Sequence, residues 1–386
     1  ISPIPNVEYP LNYYLGVLGD TGLSGYFGLM DYGEIEPGQT VLVSAAAGAV
    51  GSIAGQIAKL LGARTVGIAS GAEKCQRLIS ELGYDASVDR AGTDLEEAIG
   101  AWLNRDRVLL YPSGFQANLA ALSALADRHT TVIADRLIHH SLLVGIRASG
   151  ARLIRYRHND IDHLAQRLRQ AKPPLVVVTE SLFSMEGTSP DLEAIGALCA
   201  AHDAALLVDE AHALGVLGDG GRGLCHGLST PVTLISGTFG KAFGSGGAFL
   251  ACDGQLGEQL LQSSGAFRYT TALAPPLAAG ALRALQLIEQ HPHWGDQLIR
   301  RAQTWRDRLV EAGWARPNGD GPVLPLVMGS DQAALDRQQQ LEEKGLLTIA
   351  IRPPTVPEGA SRLRLVLRRD LPEGSCSTLV AALGTP

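Results

Sequence analysis

Apolar, β-branched runs alternate with stretches of helical period along most of the chain. The runs predict strands at 41–44, 64–69, 107–111, 130–135, 151–156, 174–180, 204–210, 232–236 and 246–252. Between most of them lie ten to fifteen residues of helical pattern, such as NLAALSALADR and DLEAIGALCAAHD. Strands that are apolar at nearly every position bury both faces, which requires helices on each side of a parallel sheet. The expected fold class is therefore α/β.

The texture changes after Pro275–Pro276. A long helical segment covers 275–291 and a second runs to about Gly313, followed by strand patterns at 323–328, 346–351 and 362–367. A smaller C-terminal α/β domain is expected there. Two glycine-rich signals, at 44–52 and 236–247, point to two different ligands in one chain. The expected organisation is 1–92, a dinucleotide-binding-like segment, 93–275, a large parallel-sheet domain, and 276–386, the small domain.

Composition narrows the function. A length of 386 residues suits two or three domains, and 46% hydrophobic content excludes a disordered chain. The net charge is −7 with no basic cluster, which argues against a nucleic-acid surface. Cys75, Cys199, Cys225, Cys252 and Cys376 are odd in number and contain no C-x-x-C pair. That pattern fits a reduced, cytoplasmic protein without disulfides or a bound metal. The uncharged stretch Gly38–Ala58 is long enough to span a bilayer, but its turn-rich centre AAAGAVGS reads as strand, loop and helix. The first twenty residues show no signal-peptide pattern, and the chain opens on Ile1.

Chemistry concentrates at the ends of successive strands. SGTFGKA (236–242) places Lys241 in a turn of small residues just past a strand. A phosphate loop would need Gly at 235 and Ser or Thr at 242, where Ile235 and Ala242 stand. AALLVDEAH puts Asp209 at the exit of an apolar strand and His212 three residues on. A buried carboxylate is costly unless it meets a cation, and a protonated pyridine nitrogen is one. An acid on that nitrogen plus a lysine on the aldehyde is how proteins hold pyridoxal phosphate. DEAH is also a helicase string, which fails without a phosphate loop. YPSGFQAN (111–118) follows a strand and opens a helix, so the amides at Gly114 and Phe115 suit a phosphate. His139 of ADRLIHHS and Ser184 of TESLFSMEG stand at two further strand ends, where open α/β sheets bind ligands. Singly, each has a plainer reading: a surface lysine, a helix cap, a packed histidine.

The strings YPSGFQAN, DRLIHHS, TESLFSMEG, VDEAHALGVLGDGGRG, SGTFGKAFGSGG, YTTAL and IRPPTVPEGASRLRL keep one order over roughly three quarters of the chain. From about Thr93 to Pro386 the sequence resembles the α-oxoamine synthases, pyridoxal-phosphate enzymes of fold-type I. The wordings VDEAHALG and IRPPTVP are most similar to the branch that serves biotin synthesis. The resemblance implies a decarboxylative condensation of L-alanine with a pimeloyl thioester by a homodimeric acyltransferase. It implies that Lys241 binds the cofactor covalently and moves the α-proton, that Asp209 pairs with the pyridine nitrogen, and that His212 bonds the phenolic oxygen. His139 would stack on the ring beside Ser184. Gly114, Phe115 and Thr238 would hold the phosphate, joined by Thr271 from the neighbouring subunit. Arg364 would clamp the amino-acid carboxylate and Thr355 would lie on the acyl side. The plainer readings are a strand-surface charge for Arg364 and a turn residue for Thr355.

Residues 1–92 lack the N-D-Y-L-G-type and G-S-R-L-V-S-G-type loops of those synthases. They resemble instead a fragment of medium-chain NADP-dependent alkenal and ketone reductases, with Ala46-x-Gly48-x-x-Gly51 as a variant dinucleotide fingerprint and Lys74 placed for a 2′-phosphate. Half a dinucleotide-binding unit has no nicotinamide pocket, so hydride transfer is not expected. The segment is then a cofactor-free packing element, part of a fusion, or residues misassigned to this stretch. The rival functions are an α-oxoamine synthase using glycine or serine, an NADP-dependent reductase, and a chimera with an open, inactive site.

Overall fold

The computed structural model describes residues 9–69, 71–89, 95–230 and 232–386. The chain divides into two compact units, Ile1–Asp94 and Leu95–Pro386. The boundary expected at Gly92–Thr93 lies outside the described residues.

The first unit begins with helices α1 (Leu11–Leu15) and α2 (Asp20–Phe27) and continues as β1 (Thr40–Val43), α3 (Ala49–Leu60), β2 (Arg64–Ala69), α4 (Ala72–Ser80) and β3 (Ala86–Asp89). Its three strands form a parallel sheet in the order β1-β2-β3. The polar run at 86–89 was not expected as a strand. It pairs residue for residue with Val66–Ala69, so tertiary pairing overrides its weak local signal. Tyr84 ties the helix to the sheet by donating to the Gly51 carbonyl at 2.7 Å, and a Cβ on Gly55 would sit 2.0 Å from its ring.

The second unit opens with α5 (Leu95–Leu103), β4 (Arg107–Tyr111), α6 (Gly114–Leu125), β5 (Thr131–Asp135), α7 (His140–Ser149), β6 (Arg152–Tyr156) and α8 (Ile161–Gln170). It continues through β7 (Leu175–Glu180), α9 (Leu192–Ala201), β8 (Ala204–Asp209), β9 (Leu234–Thr238) and β10 (Ala248–Cys252). These strands make one seven-stranded sheet in the order β4-β10-β9-β8-β7-β5-β6. Alternate residues feed opposite faces: Val177, Leu206 and Ile235 enter one core, Val176, Leu207 and Leu234 the other. The sheet is mixed and not wholly parallel, because β10 runs antiparallel to both β4 and β9. An apolar pattern records burial and not direction, so this reversal had no signature in the sequence.

Helices α10 (Gly254–Ser263), α11 (Gly265–Arg268), α12 (Pro275–Gln290) and α13 (Trp294–Glu311) follow. Ala281, Leu285 and Ile288 of α12 join the core beneath the large sheet. The chain ends with β11 (Val323–Gly329), α14 (Asp331–Glu343), β12 (Ile349–Ile351), β13 (Ser361–Val366) and α15 (Ser375–Leu383). The last three strands form an antiparallel sheet, order β11-β13-β12, over its own core of Leu324, Leu326, Leu363 and Leu365. The strand expected at 346–351 is shorter because Leu346 N–H closes the end of α14 on the Leu341 carbonyl. Among the described residues no helix is long and apolar enough to cross a membrane.

Candidate active site

Six strands of the large sheet run in one direction, and five of them, β4, β5, β7, β8 and β9, end in polar chemistry at one edge. At the exit of β4, Ser113 caps α6 by accepting from Gln116 N–H (3.3 Å). The amides of Gly114 and Phe115 come first in that helix and have no acceptor within it. A Cβ on Gly114 would lie 3.9 Å from the Thr238 side chain at the exit of β9, so the two face each other. Thr238 itself accepts from Gly240 N–H at 3.2 Å and donates to the Gly247 carbonyl at 3.0 Å. Thr271 is exposed between α11 and α12, and its neighbour Thr270 accepts from Gln116 Nε2 (3.3 Å).

Asp209, 7% exposed, ends β8. Its carboxylate accepts from Asn118 Nδ2 at 2.8 Å and from Ala211 N–H at 2.9 Å, and it forms no ion pair among the described residues. Burial raises its pKa, while Asn118, Ala211, His139 and Lys241 act in the opposite direction. Asn118 also donates to Ser141 Oγ (2.9 Å), which meets His139 Nδ1 at 2.7 Å. One buried amide thus ties the carboxylate to the histidine. Its own Oδ1 is buried without a partner.

The Lys241 ammonium titrates below its ordinary value, through partial loss of water and then the charge of Arg364, opposed by Asp209. His212 is pushed down to about 3 by burial, then by the charges of Lys241, Arg364 and His139, so its ring is neutral at physiological pH. Arg364 on β13 donates from Nε to the Ser184 carbonyl at 2.6 Å. His139, Ser184 and Thr355 line one cavity of about 680 Å³. Lys241, Asp209 and His212 cluster electrostatically beside it but do not line it.

The sequence reading missed three contributors. Asn118 is one, buried at 2% on an otherwise apolar helix face. Glu180 is another: it ends β7 in register with Asp209 and accepts from His139 N–H at 2.5 Å. Burial first, and then the adjacent Asp209, holds its pKa well above the carboxylate range. The third is the pair Asp135–His158, with His158 Nδ1 3.0 Å from the carboxylate and Nε2 2.8 Å from Thr188 Oγ1. An acid closing an apolar strand, as in LVVVTE and TVIAD, was the available signal for the two carboxylates.

The donor set fits pyridoxal phosphate. A buried carboxylate without counter-charge suits a pyridinium, free first-turn amides opposite a threonine suit a phosphate, and an amine of lowered pKa suits an aldehyde. In the first unit, Gly48 caps α3 and Ala46 is fully buried, while Lys74 is exposed on α4.

Comparison with known proteins agrees with this chemistry. A family model described as aminotransferase class I and II matches residues 84–383. An 8-amino-7-oxononanoate synthase of Alkalilimnicola ehrlichii is 42% identical over 295 residues, 75% of each chain. That of Stutzerimonas stutzeri is 39% identical over 325 residues, 83% of this chain and 81% of the relative. A crystal structure of the Francisella tularensis 8-amino-7-oxononanoate synthase superposes with a TM-score of 0.66 at 27% identity, covering 75% of this chain and 84% of that one. A structure of SPT with PLP gives 0.72 at 26%, covering 75% and 74%. These relatives give no support to the reductase likeness of residues 1–92 or to NADP as a cofactor.

Proposed function

Because the chain belongs to the aminotransferase class I and II family, and within it to the 8-amino-7-oxononanoate synthases, we propose that it condenses L-alanine with a pimeloyl thioester, releasing carbon dioxide in a step of biotin synthesis. The observation that carries the reading is Asp209, a buried carboxylate fixed by Asn118 at the strand edge where Lys241 stands. Glycine- or serine-using synthases and a reductase are less well supported.

Pyridoxal phosphate, when bound, supplies an electron sink for the negative charge that develops on the amino-acid α-carbon. Asp209 would hold the ring nitrogen protonated, with Asn118 keeping the carboxylate aimed and ionised. His139 would lie on the ring face and Ser184 beside it, and neutral His212 would face the phenolic oxygen. Gly114, Phe115 and Thr238 would bind the phosphate, with Thr271 of a second copy completing the cradle in a cytoplasmic homodimer. Arg364 would orient the substrate carboxylate. Lys241, its pKa lowered from the ordinary ammonium value, is the group suited to take and return the α-proton. Thr355, on the cavity wall, would meet the acyl group. We read 93–275 as the cofactor domain and 276–386 as the domain that brings Arg364 and Thr355.

The test is an absorbance spectrum with added cofactor before and after borohydride. A visible band that reduction fixes onto the peptide containing Lys241 is expected, and Lys241→Ala should abolish both. A visible cofactor band in Lys241→Ala that borohydride bleaches while fixing the cofactor to the protein would show the lysine assignment to be wrong.

A further inference from the structure

Arg362 and Arg364 stand two residues apart on β13, hence on one side of the strand, and both reach the loop after β7. Arg364 donates from Nε to the Ser184 carbonyl. Arg362 donates from Nη1 to the Met185 carbonyl at 3.1 Å and to Glu186 Oε2 at 2.6 Å, and from Nε to the Ala360 carbonyl at 3.0 Å. The Arg362 and Glu186 side chains are 5% and 16% exposed. Every other lysine– or arginine–carboxylate pair among the described residues leaves one partner at least 45% exposed. Exposed pairs contribute little, whereas breaking a buried one leaves a stranded charge.

The consequence lies at Arg364. Among the described residues its one side-chain hydrogen bond is that from Nε, so its two terminal nitrogens have no protein partner. A guanidinium is planar, and fixing Nε fixes the direction of the whole fork. The aim of that fork is therefore only as firm as the Ser184 carbonyl. The loop bearing it starts with Ser181 N–H on the Asp209 carbonyl and closes on itself through Phe183 N–H to the Thr188 carbonyl and Gly187 N–H to the Phe183 carbonyl. Glu180 accepts from the Ser184 N–H, and Arg362 grips the next two residues, Met185 and Glu186.

We propose that Arg362, through its buried pair with Glu186, is a positioning residue that fixes the Ser184 carbonyl and so aims Arg364 at the substrate carboxylate. The proposal rests on the reading of Arg364 given above. It names a residue that touches neither cofactor nor amino acid and yet governs affinity for the amino acid.

Alanine affinity is read from the change it causes in the spectrum of the cofactor-loaded protein. Loop order is read from hydrogen exchange of the Ser184–Gly187 amides in protein without cofactor. Arg362→Gln should weaken alanine binding about tenfold, the loss expected for one charge-assisted contact, and leave cofactor affinity within about twofold. Exchange at Ser184–Gly187 should quicken. In Arg362→Gln/Arg364→Gln the effects should not multiply, the double variant binding alanine as Arg364→Gln does. Glu186→Gln, which removes the less buried partner, should reproduce the Arg362→Gln result if the latter variant folds poorly. Unchanged alanine affinity in both single variants, or full multiplication in the double, would overturn the proposal. Normal alanine binding by Arg364→Gln would instead overturn the clamp reading itself.

Discussion

Asn118 offers the sharpest probe of the site, since one buried amide holds two of its parts. In Asn118→Ala the Asp209 carboxylate loses its 2.8 Å donor and Ser141 loses its 2.9 Å donor. A hydrogen bond to an ionised group contributes about 1.5–3 kcal/mol. If that contribution is present only while Asp209 is charged against the cofactor, affinity for pyridoxal phosphate should fall about 10- to 100-fold. The direction with pH follows from the same bond. Burial already disfavours the charged carboxylate and Asn118 opposes burial, so removing it makes Asp209 harder to ionise. Cofactor affinity should then fail at a higher pH in the variant than in the parent as acid is added.

The assay is an absorbance titration of cofactor at a series of pH values, with thermal melts to ensure that both proteins are folded. Ser141→Ala is the control, because it breaks the link to His139 and leaves Asn118 on Asp209. It should weaken binding less and leave the acid limb where it was. An Asn118→Ala protein that melts normally, binds cofactor within about twofold of the parent and keeps the same acid limb would refute the role given to Asp209.

Two further predictions concern stability. Glu210 is buried and its pKa is raised from 4.5 to about 7, burial being the cause. Between those values the folded state holds the extra proton, so stability should fall as pH rises through the window, by about 3 kcal/mol from this group. Glu210→Gln should reduce that fall in denaturant melts at pH 5 and 7.5, leaving the fall of the same sign from Glu180 and Asp209; an unchanged slope would contradict the assignment. Gly223 has φ +82° and a Cβ there would sit 2.3 Å from Glu210 Oε2. Gly223→Ala should cost at least about 2 kcal/mol in the same melts, combining left-handed strain with displacement of a buried carboxylate; a cost under about 0.5 kcal/mol would mean the loop relaxes freely.

How much of this was legible in the letters depends on the range of each interaction. The large sheet announced itself because Leu175–Val178 and Leu206–Val208 are apolar at every position, which only a doubly covered strand tolerates. Asp209, His212 and Lys241 could be picked out because each follows such a strand closely in sequence. Asn118 and Asp209 are 91 residues apart, and His139 and Glu180 are 41 apart. Nothing local marks those pairs, since the contact exists only once β5, β7 and β8 lie side by side. The direction of β10 and the short polar β3 were hidden for a related reason: pairing with a neighbour, and not their own residues, decides them.

The segment RLRLVL shows where alternation alone misleads. A strand with arginines at every second position ordinarily turns them to water, and a surface charge is the plain reading of Arg364. Here Leu363, Leu365 and Leu367 fill the core of the small sheet, and on the opposite face Arg362 is 4% exposed and Arg364 half-buried, while Val366 beyond them is exposed. What encloses Arg362 and Arg364 is loop chemistry from 176 to 180 residues earlier: the Ser184 and Met185 carbonyls and the Glu186 carboxylate. Two arginines desolvated side by side are costly unless each finds an acceptor, and one short loop supplies acceptors to both. The loop and the strand therefore hold each other, and the guanidinium left with free nitrogens is the one whose charge reaches Lys241 and His212. An alternation that reads as solvent exposure is here the means by which the small sheet's strand delivers a cation to the large sheet's strand ends.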